Sequence, residues 1–116
     1  MVNSIKKNDE FRYIYRKGKS YANKYLVMYI ADRTAGSRIN GNRIGISVSK
    51  KVGNSVVRHR VTRKIREIYR LNDNKMVQKK DIVVVARVNA KNAVYSELES
   101  AYLHLCRLHN ILIEQS

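Results

Sequence analysis

Residues 44–71 read Ile44-Gly45-Ile46-Ser47-Val48-Ser49-Lys50-Lys51-Val52-Gly53-Asn54-Ser55-Val56-Val57-Arg58-His59-Arg60-Val61-Thr62-Arg63-Lys64-Ile65-Arg66-Glu67-Ile68-Tyr69-Arg70-Leu71, and their apolar period changes midway. Ile44, Ile46 and Val48 alternate with Gly45 and Ser47, which is the period of a strand, predicted over residues 43–49. The Gly45 and Ser47 side is poor in side chains, a surface that a ligand backbone could approach. Gly53 then supplies a turn and Asn54 or Ser55 a cap. Beyond them Val57, Val61, Ile65 and Ile68 fall within one narrow arc of a helix predicted over 56–71, with Arg63, Arg66 and Arg70 close to the opposite side. A strand feeding a helix of this kind is half of an α/β unit.

The other elements extend outward from that unit. Upstream, Asn8 can cap a short helix in which Phe11, Ile14 and Tyr15 repeat at helical spacing, with Asp9 and Glu10 at its positive end and Gly18 closing it. A short strand is expected around residues 20–22. Residues 24–31 alternate strictly, with Tyr25, Val27 and Tyr29 on one face and Leu26, Met28 and Ile30 on the other. Residues 32–42 are polar, hold Gly36 and Gly41, and read as a surface connection. Downstream, the β-branched run Ile82-Val83-Val84-Val85-Ala86 within residues 81–88 predicts a central strand buried on both faces. Ser96 and Glu99 have capping-box spacing, and Leu98, Ala101, Tyr102, Leu105, Leu108 and Leu112 form one helical stripe. This order predicts an α/β (α+β) two-layer sandwich, a small mixed sheet with three helices, in one domain over residues 1–116.

The chain carries 24 Lys and Arg against 9 Asp and Glu, a net charge of +15, with 44% hydrophobic residues. It therefore has the material for a core and a surface that seeks a polyanion. Nucleic acid fits better than a membrane, since no segment joins a strong basic face to a Trp- and Phe-rich one. With no run of about 20 apolar residues, no membrane span is expected. Lone Cys106 has no partner for a disulfide, and the scattered histidines show no zinc spacing, so a reducing, cytoplasmic setting and no protein-bound metal are expected.

On the middle helix, arginines at 60, 63, 66 and 70 face only one acid, Glu67. A helix needing only solubility would mix its signs, whereas these guanidiniums repel one another unless an anion lies beside them. Arginine also grips phosphate in two places at once. Lys50 and Lys51 before the helix, with Lys64 on it, extend the ridge.

The stretch from Ile46 to Glu67 closely resembles the arginine-rich signature of the bacterial ribonuclease P protein family. The Phe11 and Tyr15 helix, Gly18-Lys19-Ser20 and the strands at 25–29 and 81–87 fall in that family's order. His59 and Thr62 depart from it, standing where asparagine and lysine are common. The resemblance implies a ribosomal protein S5 domain 2-like fold with a left-handed βαβ crossover. It implies an accessory subunit of an endoribonuclease, monomeric and one per RNA, with no catalytic residue of its own. The partner RNA would supply Mg²⁺ and the chemistry that removes the 5′ leader of precursor tRNA. Carried onto this sequence, it assigns catalytic-RNA binding to Lys50, Lys51, Arg58, His59, Arg60, Arg63, Lys64, Arg66 and Arg70. It assigns the single-stranded leader to a cleft of Phe11, Tyr15, Tyr25, Val27, Tyr29 and Ser47.

Two rivals share the charge and layout. A ribosomal or other structural RNA-binding protein would show the same basic surface without a processing role. A protein-only nuclease would need clustered carboxylates or a histidine pair. The acids Asp9, Glu10, Asp32, Glu67, Asp73 and Asp81 are scattered, while His104 and His109 lie on the last helix at no ligand spacing.

Overall fold

The computed structural model describes residues 3–33 and 40–113. In chain order these form α1 (Asn8–Lys17), β1 (Lys19–Ala22), β2 (Leu26–Asp32), β3 (Arg43–Ser47), α2 (Ser55–Asn72), β4 (Lys80–Ala86) and α3 (Tyr95–Leu108), with short 3₁₀ turns at Asp73–Lys75 and Val88–Asn92. The four strands lie in the order β1-β2-β4-β3. β1 pairs with β2 and β2 with β4 antiparallel, whereas β3 and β4 are parallel and joined through α2.

Helices α2 and α3 lie on one face of this sheet. Val61, Ile65 and Ile68 of α2 meet Leu98, Tyr102 and Leu105 of α3 over Leu26 and Met28 of β2, Ile44 of β3, and Ile82 and Val84 of β4, all buried. Each such aliphatic side chain removed from water stabilises the fold by about 1.5–3 kcal/mol. These two layers are the predicted sandwich. Helix α1 lies across the opposite face, where Ile14 packs with Ile5, Ala31 and Val83 in a second, smaller cluster. Strand β4 is thus central and dry on both sides over Ile82–Val84, as its β-branched run requires.

Boundaries differ from the sequence reading in ways that have local causes. Asn8 is the first residue of α1 and does not cap it; Lys7, extended and without a side-chain hydrogen bond, holds the cap position. In α2 the expected cap is present, Asn54 Oδ1 accepting the Val57 N–H at 3.0 Å. Helix α3 begins at Tyr95, one residue before the expected cap, so its third position is Glu97. The Glu97 carboxylate accordingly accepts the Val94 N–H at 3.0 Å, while Glu99 accepts from Asn72 across to α2. Leu112 lies beyond the helix: Asn110 turns the chain with φ 57°, and Leu112 forms a bridge with Met76. Gly36 and its neighbours in the predicted connection lie outside the described residues, while Gly41, at φ 80°, makes the turn expected of it.

At the end of α3, the His109 ring stands edge-on to Tyr21 at 4.8 Å, and its Nε2 donates to the Met28 carbonyl at 2.9 Å. Burial, the largest influence, lowers its pKa from the usual value of 6.5. Above pH 6.5 the ring is neutral both folded and unfolded. As the pH falls below that value the unfolded chain takes up the proton first, so the fold loses stability. The melting temperature is expected to drop between pH 7.5 and 5.5, and to drop less in His109→Gln. Equal pH dependence in the two proteins would contradict this role.

Candidate nucleic-acid interface

Eighteen residues of α2 present two flanks and a crest. His59, Arg60, Arg63 and Arg66 are exposed, as are Lys50 and Lys51 in the turn that leads into the helix. No acid lies within ion-pairing distance of Arg60, Arg63 or Arg66 among the described residues. These three guanidiniums are uncommitted donors on a crest that faces away from the sheet.

Two assigned cations are otherwise engaged, and a third is half-buried. Arg70 donates to Glu67 through Nε at 3.0 Å and through a second nitrogen, which holds the Glu67 carboxyl below its usual pKa. The like-charge argument thus applies to 60, 63 and 66, whereas Arg70 has its own counterion. Lys64 is half-buried, its ammonium donating to the Ala93 carbonyl at 3.2 Å. Arg58 is half-buried too, with Nε shielded from solvent and unpartnered among the described residues. Thr62 turns its hydroxyl back to the Arg58 carbonyl at 2.8 Å and adds nothing to the ridge.

On the other face of the sheet, three rings meet. Phe11 and Tyr15 of α1 have centroids 6.3 Å apart, and Tyr15 stands edge-on to Tyr29 of β2 at 4.9 Å. Strand register explains what lies beneath. One cross-strand row runs Ser20, Tyr29, Val83, Gly45, and the next runs Ala22, Val27, Val85, Ser47. The first row is roofed by α1. Gly45, expected to be bare and open to a ligand, lies under the Phe11 ring, and a Cβ there would stand 2.8 Å from it. The expectation is corrected: glycine at 45 admits an aromatic ring of the protein itself. The second row, with half-buried Val27, Val85 and Ser47, remains the uncovered floor. A depression of about 430 Å³ lined by Asn8, Phe11, Arg12, Tyr15, Ile46 and Ser47 opens at its Ser47 end.

Tyr25 does not join this group. The Asn23 side chain accepts the N–H groups of Tyr25 and Leu26 at 3.2 and 3.1 Å, a local turn that delays the start of β2 to Leu26 and removes Tyr25 from the pleat. Its ring packs instead on the α3 side, with the hydroxyl donating to Glu97 at 2.8 Å. That bond is the main cause of its raised pKa. The sequence reading missed Asn8, Arg12, Ile46 and Val85. Asn8 and Arg12 stand one helical turn apart on the face that carries Tyr15, a legible signal. Val85 was hidden by its own buried-looking run.

Helix α1 is held in place by charge as well as by Ile14. Arg43 donates to Asp81 from two nitrogens at 2.9 and 2.8 Å and to Glu10 of α1 at 2.6 Å, while Arg33 donates to Oδ1 of Asp81 as well, at 3.2 Å. Arg43 therefore ties the ring-bearing helix to β4. Among the described residues no three His, Cys, Asp or Glu side chains stand together as metal ligands, and Asp81 is already shared by two guanidiniums. No described helix is long and apolar enough to cross a membrane.

Comparison with known proteins gives one answer by three routes. Residues 2–109 match the model of the family described as Ribonuclease P. The chain is 54% identical over 112 residues to the ribonuclease P protein component of Lachnoclostridium phytofermentans, covering 97% of this chain and 93% of that one. It is 53% identical over 105 residues to that of Alkaliphilus metalliredigens, covering 90% and 91%. In three dimensions it is similar to the RNase P protein of Staphylococcus aureus, with a TM-score of 0.85 at 36% identity over 97% of this chain and 99% of that one. The RNase P protein of Thermotoga maritima gives 0.79 at 26% identity over the same shares.

Proposed function

The chain belongs to the Ribonuclease P protein family, and on that premise we propose a division of labour between its two surfaces. Its activity is that of the protein subunit of an endoribonuclease, partnered by ribonuclease P RNA in maturing the 5′ ends of tRNA. The crest of α2, through Arg60, Arg63 and Arg66 with Lys50, Lys51, Arg58 and His59 around it, binds the catalytic RNA. The trough of Phe11, Tyr15, Tyr29, Val27 and Ser47 takes the single-stranded 5′ leader of precursor tRNA. Mg²⁺ and bond cleavage belong to the RNA, and the protein acts in the cytoplasm as one copy per RNA.

The observation that carries this reading is the separation of the two surfaces by the sheet: uncommitted arginines on one side, a cluster of rings beside a half-buried floor of Val27, Val85 and Ser47 on the other. One protein can hold two RNA segments at once only if they do not compete. Rings stack unpaired bases of any sequence, each worth about 1–3 kcal/mol. Arg12, exposed at the trough's lip, suits the leader's phosphates. Positive charge between two polyanions also lessens their repulsion, and so the magnesium that productive binding requires.

Reconstitution with purified catalytic RNA at low magnesium tests the whole scheme. The protein is expected to stimulate precursor cleavage and, alone, to cleave nothing. In that assay Tyr15→Ala and Tyr29→Ala should each narrow the affinity gap between leader-bearing and mature tRNA by roughly fivefold or more. Tyr25→Ala, on the other side of the sheet, should leave the gap unchanged. Equal loss for both tRNAs in the Tyr15 and Tyr29 variants would refute the leader assignment.

A further inference from the structure

Between α2 and the first turn of α3 runs a second groove, of about 510 Å³, lined by Val56, Arg60, Arg63, Lys64, Glu67 and Tyr95. Its floor is apolar and its rim cationic. Val56 is 66% exposed although it sits in the first turn of the helix that carries the arginines. The Tyr95 hydroxyl is shielded from solvent and has no hydrogen-bond partner among the described residues. A phenylalanine there would pack without leaving that donor unmet.

The charged side chains around the groove are not equivalent. Lys64 is pinned to the Ala93 carbonyl, so its stem forms a fixed wall. Glu67 is paired with Arg70, which offsets part of its charge beside an entering phosphate. Arg60 and Arg63 have no acidic partner among the described residues and stand free at the mouth. An apolar floor wide enough for a ring, beside two free guanidiniums, has the chemistry of a nucleotide subsite.

We infer that this groove receives one unpaired nucleotide of the catalytic RNA, its base lying on Val56 and Tyr95 and its flanking phosphates meeting Arg60 and Arg63. The inference rests on the reading of α2 as the catalytic-RNA face and adds to it a base-sized anchor. The leader is the less suitable occupant because its trough lies across the sheet.

The test uses the assembled holoenzyme. Cys106 is fully buried, and burial pushes its thiol up to about 12, so a Val56→Cys variant can be labelled selectively with a photo-crosslinker. Crosslinking to a single-stranded position of the catalytic RNA is expected. Crosslinks confined to precursor tRNA, or scattered along duplex, would overturn the assignment. Independently, Val56→Gln, a neutral change at an exposed position, should weaken catalytic-RNA affinity about fivefold while leaving its salt dependence unaltered, because a stacking contact and no phosphate contact is lost. Unchanged affinity in Val56→Gln beside a clear loss in Arg66→Ala would remove the groove and leave the α2 assignment intact. Unchanged affinity in both would remove the α2 assignment itself.

Discussion

Replacing Arg63 and Arg66 together by alanine is expected to weaken catalytic-RNA binding about 60-fold at 0.1 M salt. Each phosphate contact contributes about 0.9 to the slope of log affinity against log salt, so two lost contacts flatten that slope by about 1.8. Extrapolated from 1 M to 0.1 M salt, the same 1.8 decades is the expected loss. The fold should not suffer. Both side chains are exposed and bear no ion pair among the described residues, and alanine is the best helix former. Arg70→Ala is the internal contrast, since its charge is already offset by Glu67 and its loss should matter much less. A titration series across salt with thermal melts alongside checks both variants. An unchanged slope in the double variant would refute the ridge.

The largest effect on stability is expected at Asp81. Its side chain and that of Arg33 are each 7% exposed, and that of Arg43 is 14% exposed. Asp81→Ala would remove the buried carboxylate that Arg33 and Arg43 share, leaving Arg43 its bond to Glu10. Breaking a buried ion cluster in this way costs about 3–5 kcal/mol. For a domain of this size that corresponds to a melting temperature lower by roughly 10–20 °C. Asp32→Ala provides the comparison: its side chain is 78% exposed where it meets Lys80, and such surface pairs contribute about 0–1 kcal/mol. Similar melts for the two variants would refute the buried cluster's role. Because Arg43 also holds Glu10, part of the Asp81 penalty should appear as loosened α1 and weaker leader discrimination in whatever protein remains folded.

What could be read from residues alone was what depends on local period. The 3.6-residue spacing of Val57, Val61, Ile65 and Ile68 placed α2, its buried stripe and its arginine crest, and the β-branched run at 82–86 placed the central strand. Alternation in β2 correctly set Tyr29 and Val27 opposite Leu26, Met28 and Ile30. It failed at Tyr25 because a side-chain turn at Asn23 competes with the pleat before the strand begins. The bare surface at Gly45 was legible, but its occupant, Phe11, comes from a distant helix. The Arg33, Arg43, Asp81 and Glu10 cluster has no local signature at all, since its partners are 33 to 48 residues apart. Charge on α2 was overcounted for a related reason: composition counts Arg70 and Lys64 as free cations, while geometry gives each a partner.

Strand β3 is an edge of the sheet, and the segment before α1 covers it at one position: Ile44 donates to the Asn3 carbonyl at 2.9 Å, and its own carbonyl accepts the Ile5 N–H at 2.8 Å. The segment before α1 therefore depends on a partner some forty positions later in the chain before its amides are protected. Slow exchange of the Ile5 and Ile44 amides with deuterium should be gained and lost together. A fusion that pulls this segment away would uncover a template for intermolecular strand pairing, so handling of the protein at its amino-terminal side bears directly on whether it stays dispersed.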